Sequence, residues 1–292
     1  MSQASEMVRT EFKKGDDIRD AGLTTPEDIV RYDDIAYGPD PAQQSLDVYR
    51  PKASEGKKLP VIVSVHGGGW VYGDKERYQF YCMNLAQRGF AVVNFTYRLA
   101  PENKYPSSLE DTNSVFTWVL ANGEKYGFDT EHVFAVGDSA GAHNLGLYSS
   151  ICTNPQYAAE YSFQPPKGFR PTAIALNCGA YEIDTSKKDL TTALMSDFLP
   201  EKGSPRELDL INVTHHVTSA YPPTFFMTCT EDFLKDQPPI LMAKLLSEDV
   251  PCVFRYYGDK NKRLPHVFHL GIKSEDATLC NDEECAFFRE FL

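Results

Sequence analysis

Apolar residues along the chain fall into short β-branched and aromatic runs separated by longer stretches with helical spacing. The runs are Pro60–His66 (PVIVSVH), Phe90–Tyr97 (FAVVNFTY), His132–Gly137 (HVFAVG), Thr172–Cys178 (TAIALNC), Thr224–Thr230 (TFFMTCT) and Cys252–Tyr257 (CVFRYY). They are almost continuously hydrophobic rather than alternating, as expected of strands buried on both faces of a parallel sheet. Helix-like segments lie between and after them: Tyr78–Arg88, Ser107–Asn122, Ala140–Ile151, Pro239–Glu248 and Asp282–Leu292. Strand and helix in turn predict an α/β chain, with a mostly parallel, doubly wound sheet flanked by helices.

Two earlier runs, Asp33–Tyr37 and Ser45–Tyr49, are expected to add an antiparallel edge. Residues 1–32 are charged and weakly patterned, which predicts an arm or short helices near the site. Tyr181–Tyr221 interrupts the alternation between two strands, and a stretch of that length usually forms a lid or an active-site insertion. The expected organisation is one domain over residues 1–292, with 1–32 and 181–221 as elements of a small cap.

The chain has 292 residues, 42% hydrophobic and 24% charged, as in ordinary globular proteins. Its net charge of -12 argues against nucleic acid, whose phosphates call for clustered Lys and Arg. No stretch of ~18 apolar residues predicts a membrane span. The N-terminal MSQASEMVRTEFKKGDDIRD lacks the apolar core of a secretory signal. Seven cysteines, without a CxxC pair and several within apolar runs, read as reduced core thiols. Together these features give the expectation of a cytoplasmic location, with no membrane or nucleic-acid partner. They leave room for a homo-oligomer.

Gly137-Asp138-Ser139-Ala140-Gly141 is a G-x-S-x-G motif that follows an apolar strand and precedes a helix. That context predicts a sharp strand-to-helix turn presenting Ser139 as a nucleophile. His66-Gly67-Gly68-Gly69-Trp70 directly follows another strand. Acyl transfer creates an oxyanion, and each backbone amide aimed at it contributes of order 10²–10³ in rate. The amides of Gly68, Gly69 and Ala140 are the candidates. Gly67 would shape the turn and His66 would brace the loop. Trp70 would line the substrate pocket or simply pack in the core.

A serine hydroxyl needs a general base, and the base an orienting carboxylate, in the chain order Ser, acid, His. After the strand TFFMTCT stand Glu231, Asp232 and, one helical turn on, Asp236; after CVFRYYG only His266 and His269 remain. Leu264-Pro265 stiffens the approach to His266, which favours it as the base and leaves His269 as a solvent-edge or capping residue.

These motifs resemble the hormone-sensitive-lipase-like carboxylesterases and the related bacterial acetyl/feruloyl esterases. HGGGW matches the family's oxyanion loop and GDSAG its nucleophile elbow. Tyr97-Arg98-Leu99-Ala100-Pro101-Glu102, with Tyr105-Pro106 and Asp111, matches a longer and more specific signature. The resemblance covers roughly residues 45–292. It implies the α/β-hydrolase fold, gives the acid role to Asp232, and places the family's H-x-F segment on His266-Val267-Phe268. The elbow helix departs from the lipase-like branch at Ala142-His143-Asn144, where a Gly-Asn pair is usual. The implied activity is a serine carboxylesterase on short acyl esters, acetyl esters of carbohydrates included, with no metal or organic cofactor. The alternatives are an aryl formamidase or amide hydrolase on the same fold, or a non-catalytic ligand-binding relative. Lipase action is disfavoured, because 181–221 shows no extended apolar lid.

Overall fold

The computed structural model describes residues 1–292. Its eight strands are β1 (Ile29–Ala36), β2 (Ser45–Pro51), β3 (Leu59–Val65), β4 (Ala91–Phe95), β5 (Phe128–Asp138), β6 (Ile174–Asn177), β7 (Thr224–Cys229) and β8 (Cys252–Tyr257). They form one sheet in the order β1-β2-β4-β3-β5-β6-β7-β8. β1–β2 and β2–β4 pair antiparallel, and every pair from β4 to β8 is parallel. The helices are α1 (Gln3–Asp20), α2 (Lys75–Ala86), α3 (Ser107–Ala121), α4 (Gly123–Tyr126), α5 (Ala140–Thr153) and α6 (Pro155–Ala158). The 181–221 segment carries α7 (Leu190–Phe198), α8 (Pro205–Ile211) and α9 (Val213–His216); α10 (Gln237–Ser247) and α11 (Glu275–Arg289) follow.

The near-continuous apolar runs are explained by two cores, one on each face of the sheet. Val61, Val63 and Val65 of β3 point into the larger core with residues of α3, α5 and α10. Ile62, between them, points into the smaller core with α2 and α11. The order in which the chain adds parallel strands reverses at β3, whose neighbours are β4 on one side and β5 on the other. Ligands of open α/β sheets bind at such a switch point, outside the carboxyl ends of the strands. The loops after β3, β5, β7 and β8 all emerge on that edge. This arrangement is the α/β-hydrolase fold.

Three expectations need correction. The first 20 residues form one 18-residue helix with Ser2 as its N-cap, not an arm or several short helices. Only Ser5 and Val8 of α1 are buried, so its apolar stripe is too narrow to stand out. β1 begins at Ile29, inside the region read as arm, and a register shift between Tyr32 and Ile35 blurs its alternation. α11 begins at Glu275, seven residues early, because Ser274 caps a first turn that is acidic rather than apolar.

Candidate active site

Ser139 ends the turn between β5 and α5 with φ 52° and ψ -118°, a conformation that an L-residue keeps only when its surroundings enforce it. The enforcing contact is close backbone packing: a Cβ on Gly141 would stand 2.1 Å from the Val65 carbonyl oxygen. The turn therefore accepts only glycine at 141, and Ser139 is held at the sheet edge. The amide of Ala140 opens helix α5, so it has no partner within the helix.

The loop after β3 is held open in the same way. Gly68 and Gly69 have φ 118° and 61°, and a Cβ on Gly68 would stand 2.0 Å from the Tyr72 carbonyl oxygen. Neither amide donates a hydrogen bond to another protein group. The loop is braced from several sides. The His66 ring is buried and stacks on Tyr97 at 4.0 Å, and Tyr97 donates to the His66 carbonyl oxygen at 2.8 Å. The Gly67 amide donates to Tyr78 Oη at 2.8 Å, which in turn donates to Asp138 Oδ2 at 2.8 Å. Trp70 Nε1 donates to His143 Nδ1 at 3.1 Å, and the opposite nitrogen of His143 donates to the Ile211 carbonyl at 2.8 Å. The departure at 142–144 thus supplies a histidine that ties the loop to α5 and residue 211. Burial lowers His66 and His143 to about 4, so both rings are neutral.

The signature after β4 acts at one remove. The Arg98 amide and guanidinium bind Asp111, at 2.8 Å for the closest contacts. Arg9 of α1 binds the Ala100 carbonyl and the Glu102 carboxylate. The signature therefore fastens α1 and α3 to the loop and leaves the chemistry to other residues.

Asp232 and His266 meet across the loops after β7 and β8, with Oδ1 accepting from Nδ1 at 2.6 Å. Burial alone would raise the Asp232 carboxyl, but hydrogen bonds from His266, Thr228 and the Leu234 amide outweigh it and hold the pKa below the usual value. Asp232 is thus an anion beneath the imidazole. Glu231 and Asp236 point away, to Arg263 and to Lys187 at the surface. His269 is neither at the solvent edge nor a cap. It is fully buried, edge-on to Tyr81, and burial lowers it to about 3.

Ser139 and His266 line one cavity of about 310 Å³, together with Gly68, Phe12, Asp16 and Phe233. Ser139 also borders a second, much smaller space of about 20 Å³, lined by Gly69, Trp70, Ala140, Leu190, Leu194 and Leu234. Trp70 is both packed and lining: it is 4% exposed and stacks on Phe198 at 4.9 Å. Sequence reasoning expected residues 1–32 and 181–221 beside the site but singled out none of the wall residues they supply, Phe12, Asp16, Leu190 and Leu194, nor Phe233. Only Asp138, inside the G-x-S-x-G motif, carried a signal that could have placed it in the lining. The one convergence of metal-type donors is Cys178, Asp232 and His266, whose donor atoms lie within 4.8 Å of one another.

The BD-FAE family matches residues 46–245 of this chain. Esterase LipC of Mycobacterium tuberculosis is 36% identical over 127 residues, 43% of this chain and 31% of that protein. The versiconal hemiacetal acetate esterase of Dothistroma septosporum is 27% identical over 237 residues, 76% of this chain and 70% of that protein. The match thus spans about a third of LipC. Among solved structures, esterase B of Lactobacillus rhamnosis superposes with a TM-score of 0.87 at 26% identity, covering 100% of this chain and 96% of that one. A form of the same enzyme inhibited by a tributyrin phosphonate gives 0.88 at 25% identity, with 100% and 96% covered.

Proposed function

The chain belongs to the BD-FAE family of α/β-hydrolase esterases, and from that premise we propose that it is a serine carboxylesterase hydrolysing short acyl esters. The carrying observation is the 2.6 Å Asp232–His266 hydrogen bond bordering the cavity that Ser139 also lines. His266 takes the Ser139 proton as the oxygen attacks the ester carbonyl, and Asp232 stabilises the resulting imidazolium. The amides of Gly68, Gly69 and Ala140 receive the oxyanion. His266 then protonates the departing alkoxide, so the alcohol lies on the His266 side, in the 310 Å³ cavity. The acyl group takes the second, 20 Å³ space, little more than the room one water needs. Water activated by His266 clears the acyl-enzyme.

The alcohol side is walled partly by Asp16, Tyr72, Tyr78 and Asp138, which suits a hydroxylated alcohol and brings acetyl esters of carbohydrates within the class. Helix α1 and residues 181–221 act together as a small cap: Asp197 of α7 accepts from the Ser2 amide and the Ser5 hydroxyl of α1, both at 2.6 Å. No helix is long and apolar enough to cross a membrane. All seven cysteines are free thiols, which supports a cytoplasmic location.

Hydrolysis of p-nitrophenyl esters from acetate to decanoate tests the reading. kcat/KM should peak between acetate and butyrate, and Ser139→Ala should remove activity by several orders of magnitude. A peak at octanoate or beyond overturns the acyl assignment; a few per cent of activity left in Ser139→Ala overturns the nucleophile. The same assays with aryl formamides would reveal a formamidase.

A further inference from the structure

β6 ends beside β7 on the edge that carries the site, and the residue after it, Cys178, sits directly behind Asp232 and His266. Its position beside two catalytic candidates and its backbone conformation set this thiol apart from the other six; its burial it shares with Cys82, Cys229, Cys280 and Cys285. Its sulfur, an Asp232 oxygen and a His266 nitrogen lie within 4.8 Å of one another. It is wholly buried, as is nearly all of Asp232, while His266 keeps an edge toward the cavity. Its backbone has φ 47°, a left-handed conformation that costs a non-glycine residue about 1 kcal/mol or more. The mechanism above gives this strained position no task. The Cys178 thiol makes only a long contact, donating to Met227 Sδ at 3.8 Å, while Cys229 at the end of β7 donates to the Pro265 carbonyl at 3.1 Å.

We propose that Cys178, Asp232 and His266 form an inhibitory site for a thiophilic divalent cation of the zinc type, and that its occupancy switches off the esterase. Thiolate, imidazole and carboxylate together select such an ion over magnesium or calcium, which prefer all-oxygen cages. Bond lengths of about 2.0–2.3 Å around a tetrahedral ion separate its ligands by about 3.5 Å. The Asp232 Oδ1–His266 Nδ1 pair, 2.6 Å apart, therefore opens by roughly an ångström while the Cys178 sulfur, within 4.8 Å of both, closes by up to about as much, within the reach of side-chain rotation, and water from the cavity completes the coordination.

The loss of activity follows from proton bookkeeping. His266 donates from Nδ1 to Asp232 in the free protein. The cation takes that nitrogen and the Asp232 oxygen, so the imidazole proton moves to Nε2, and the Cys178 thiol releases its proton to solvent. An imidazole protonated at Nε2 cannot accept the proton of Ser139, and Asp232 no longer holds the base. One proton leaves per ion bound, and nothing is oxidised or reduced.

The inference rests on His266 acting as the base, and the test separates the two. Wild type, Cys178→Ser and Cys178→Ala are assayed with p-nitrophenyl butyrate across a buffered Zn²⁺ series, and each is titrated with Co²⁺ and followed by absorbance. Expected are reversible inhibition of the wild type, restored by a chelator, and a thiolate-to-cobalt charge-transfer band. Both cysteine variants should need at least about tenfold more Zn²⁺ for half inhibition and should lack the band. An active wild type that zinc leaves untouched, or variants inhibited like the wild type, overturn the site. Should neither variant fold, the wild-type cobalt spectrum decides, and the absence of a thiolate band overturns the proposal. A chain that shows the band yet hydrolyses no ester keeps the metal site and refutes the esterase reading.

Discussion

His266 and His269 lie three residues apart and show how far apart two side chains of one type can be placed. His266 lies at the cavity with Asp232 as its partner, whereas His269 sits among Tyr81, Phe268 and Asn281 with both ring nitrogens unbonded. His266→Ala should therefore abolish esterase activity as completely as Ser139→Ala. His269→Ala should retain more than a tenth of wild-type kcat/KM while lowering the melting temperature, since it removes a buried ring. Activity in matched, folded samples checks both, and an inactive but fully folded His269→Ala would reverse the roles. Pro265 and the H-x-F match pointed to His266 in the chain, and the structure pairs that residue with Asp232. The burial of His269 was not, because the ring is enclosed by residues of α2 and α11 that are distant in sequence.

At the level of elements, the proposed acyl assignment gives α7 control over what acyl group fits. Leu194 is 2% exposed and borders the 20 Å³ space, with Cδ1 2.8 Å from where a Gly69 Cβ would stand. Leu194→Ala removes that wall. The preferred acyl chain should lengthen by two or three carbons, at a stability cost of about 2–4 kcal/mol. The p-nitrophenyl series reads the first effect and denaturant unfolding the second; an unchanged chain-length profile would place the acyl group elsewhere. The length of 181–221 announced an insertion near the site, but nothing singled out Leu194 within that segment. Its helices are short, and the residues that matter are recognisable only by what they face.

Across the whole molecule, acidic groups sealed beneath the sheet edge tie stability to pH. Glu284 of α11 is fully buried, accepts from Asn177 at 2.6 Å and from Tyr81 at 3.2 Å, and is pushed up by burial to about 7. Burial raises Asp138 to about 7 as well. A carboxyl raised in the folded state favours folding below its unfolded pKa, and that contribution is lost as pH rises through the folded value. Glu284→Gln keeps a carbonyl oxygen to accept from Asn177, turns an amide donor toward the Tyr81 hydroxyl, and removes the titration. The variant should gain on the wild type as pH rises from about 4.5 to 7, by at most about 3 kcal/mol, then hold that lead. Thermal melts at pH 5, 6, 7 and 8 check the sign. The neutral histidines 66, 143 and 269, held at about 4, 4 and 3, act oppositely and weaken both proteins alike as pH falls below about 6.5.

The linear pattern already determined the sheet and pointed to the candidate chemistry. Buried strands must be apolar on both faces, and the β3 and β5 turns must carry glycine where a Cβ would strike backbone, so both left their mark on the chain. The order of Ser139, Asp232 and His266 was legible for the same reason, each following a strand that the pattern located. What encloses these residues was decided only by folding. α1 presents a mostly polar surface and buries little, yet its Phe12 and Asp16 reach the cavity because Arg9, Ser2 and Ser5 fasten the helix to distant loops. Cys178 met Asp232 and His266 through the adjacency of β6 and β7, a pairing between residues some fifty positions apart. Periodicity records which face of an element is buried; which residue lies against that face is set by long-range packing, and the limits of the site were fixed there.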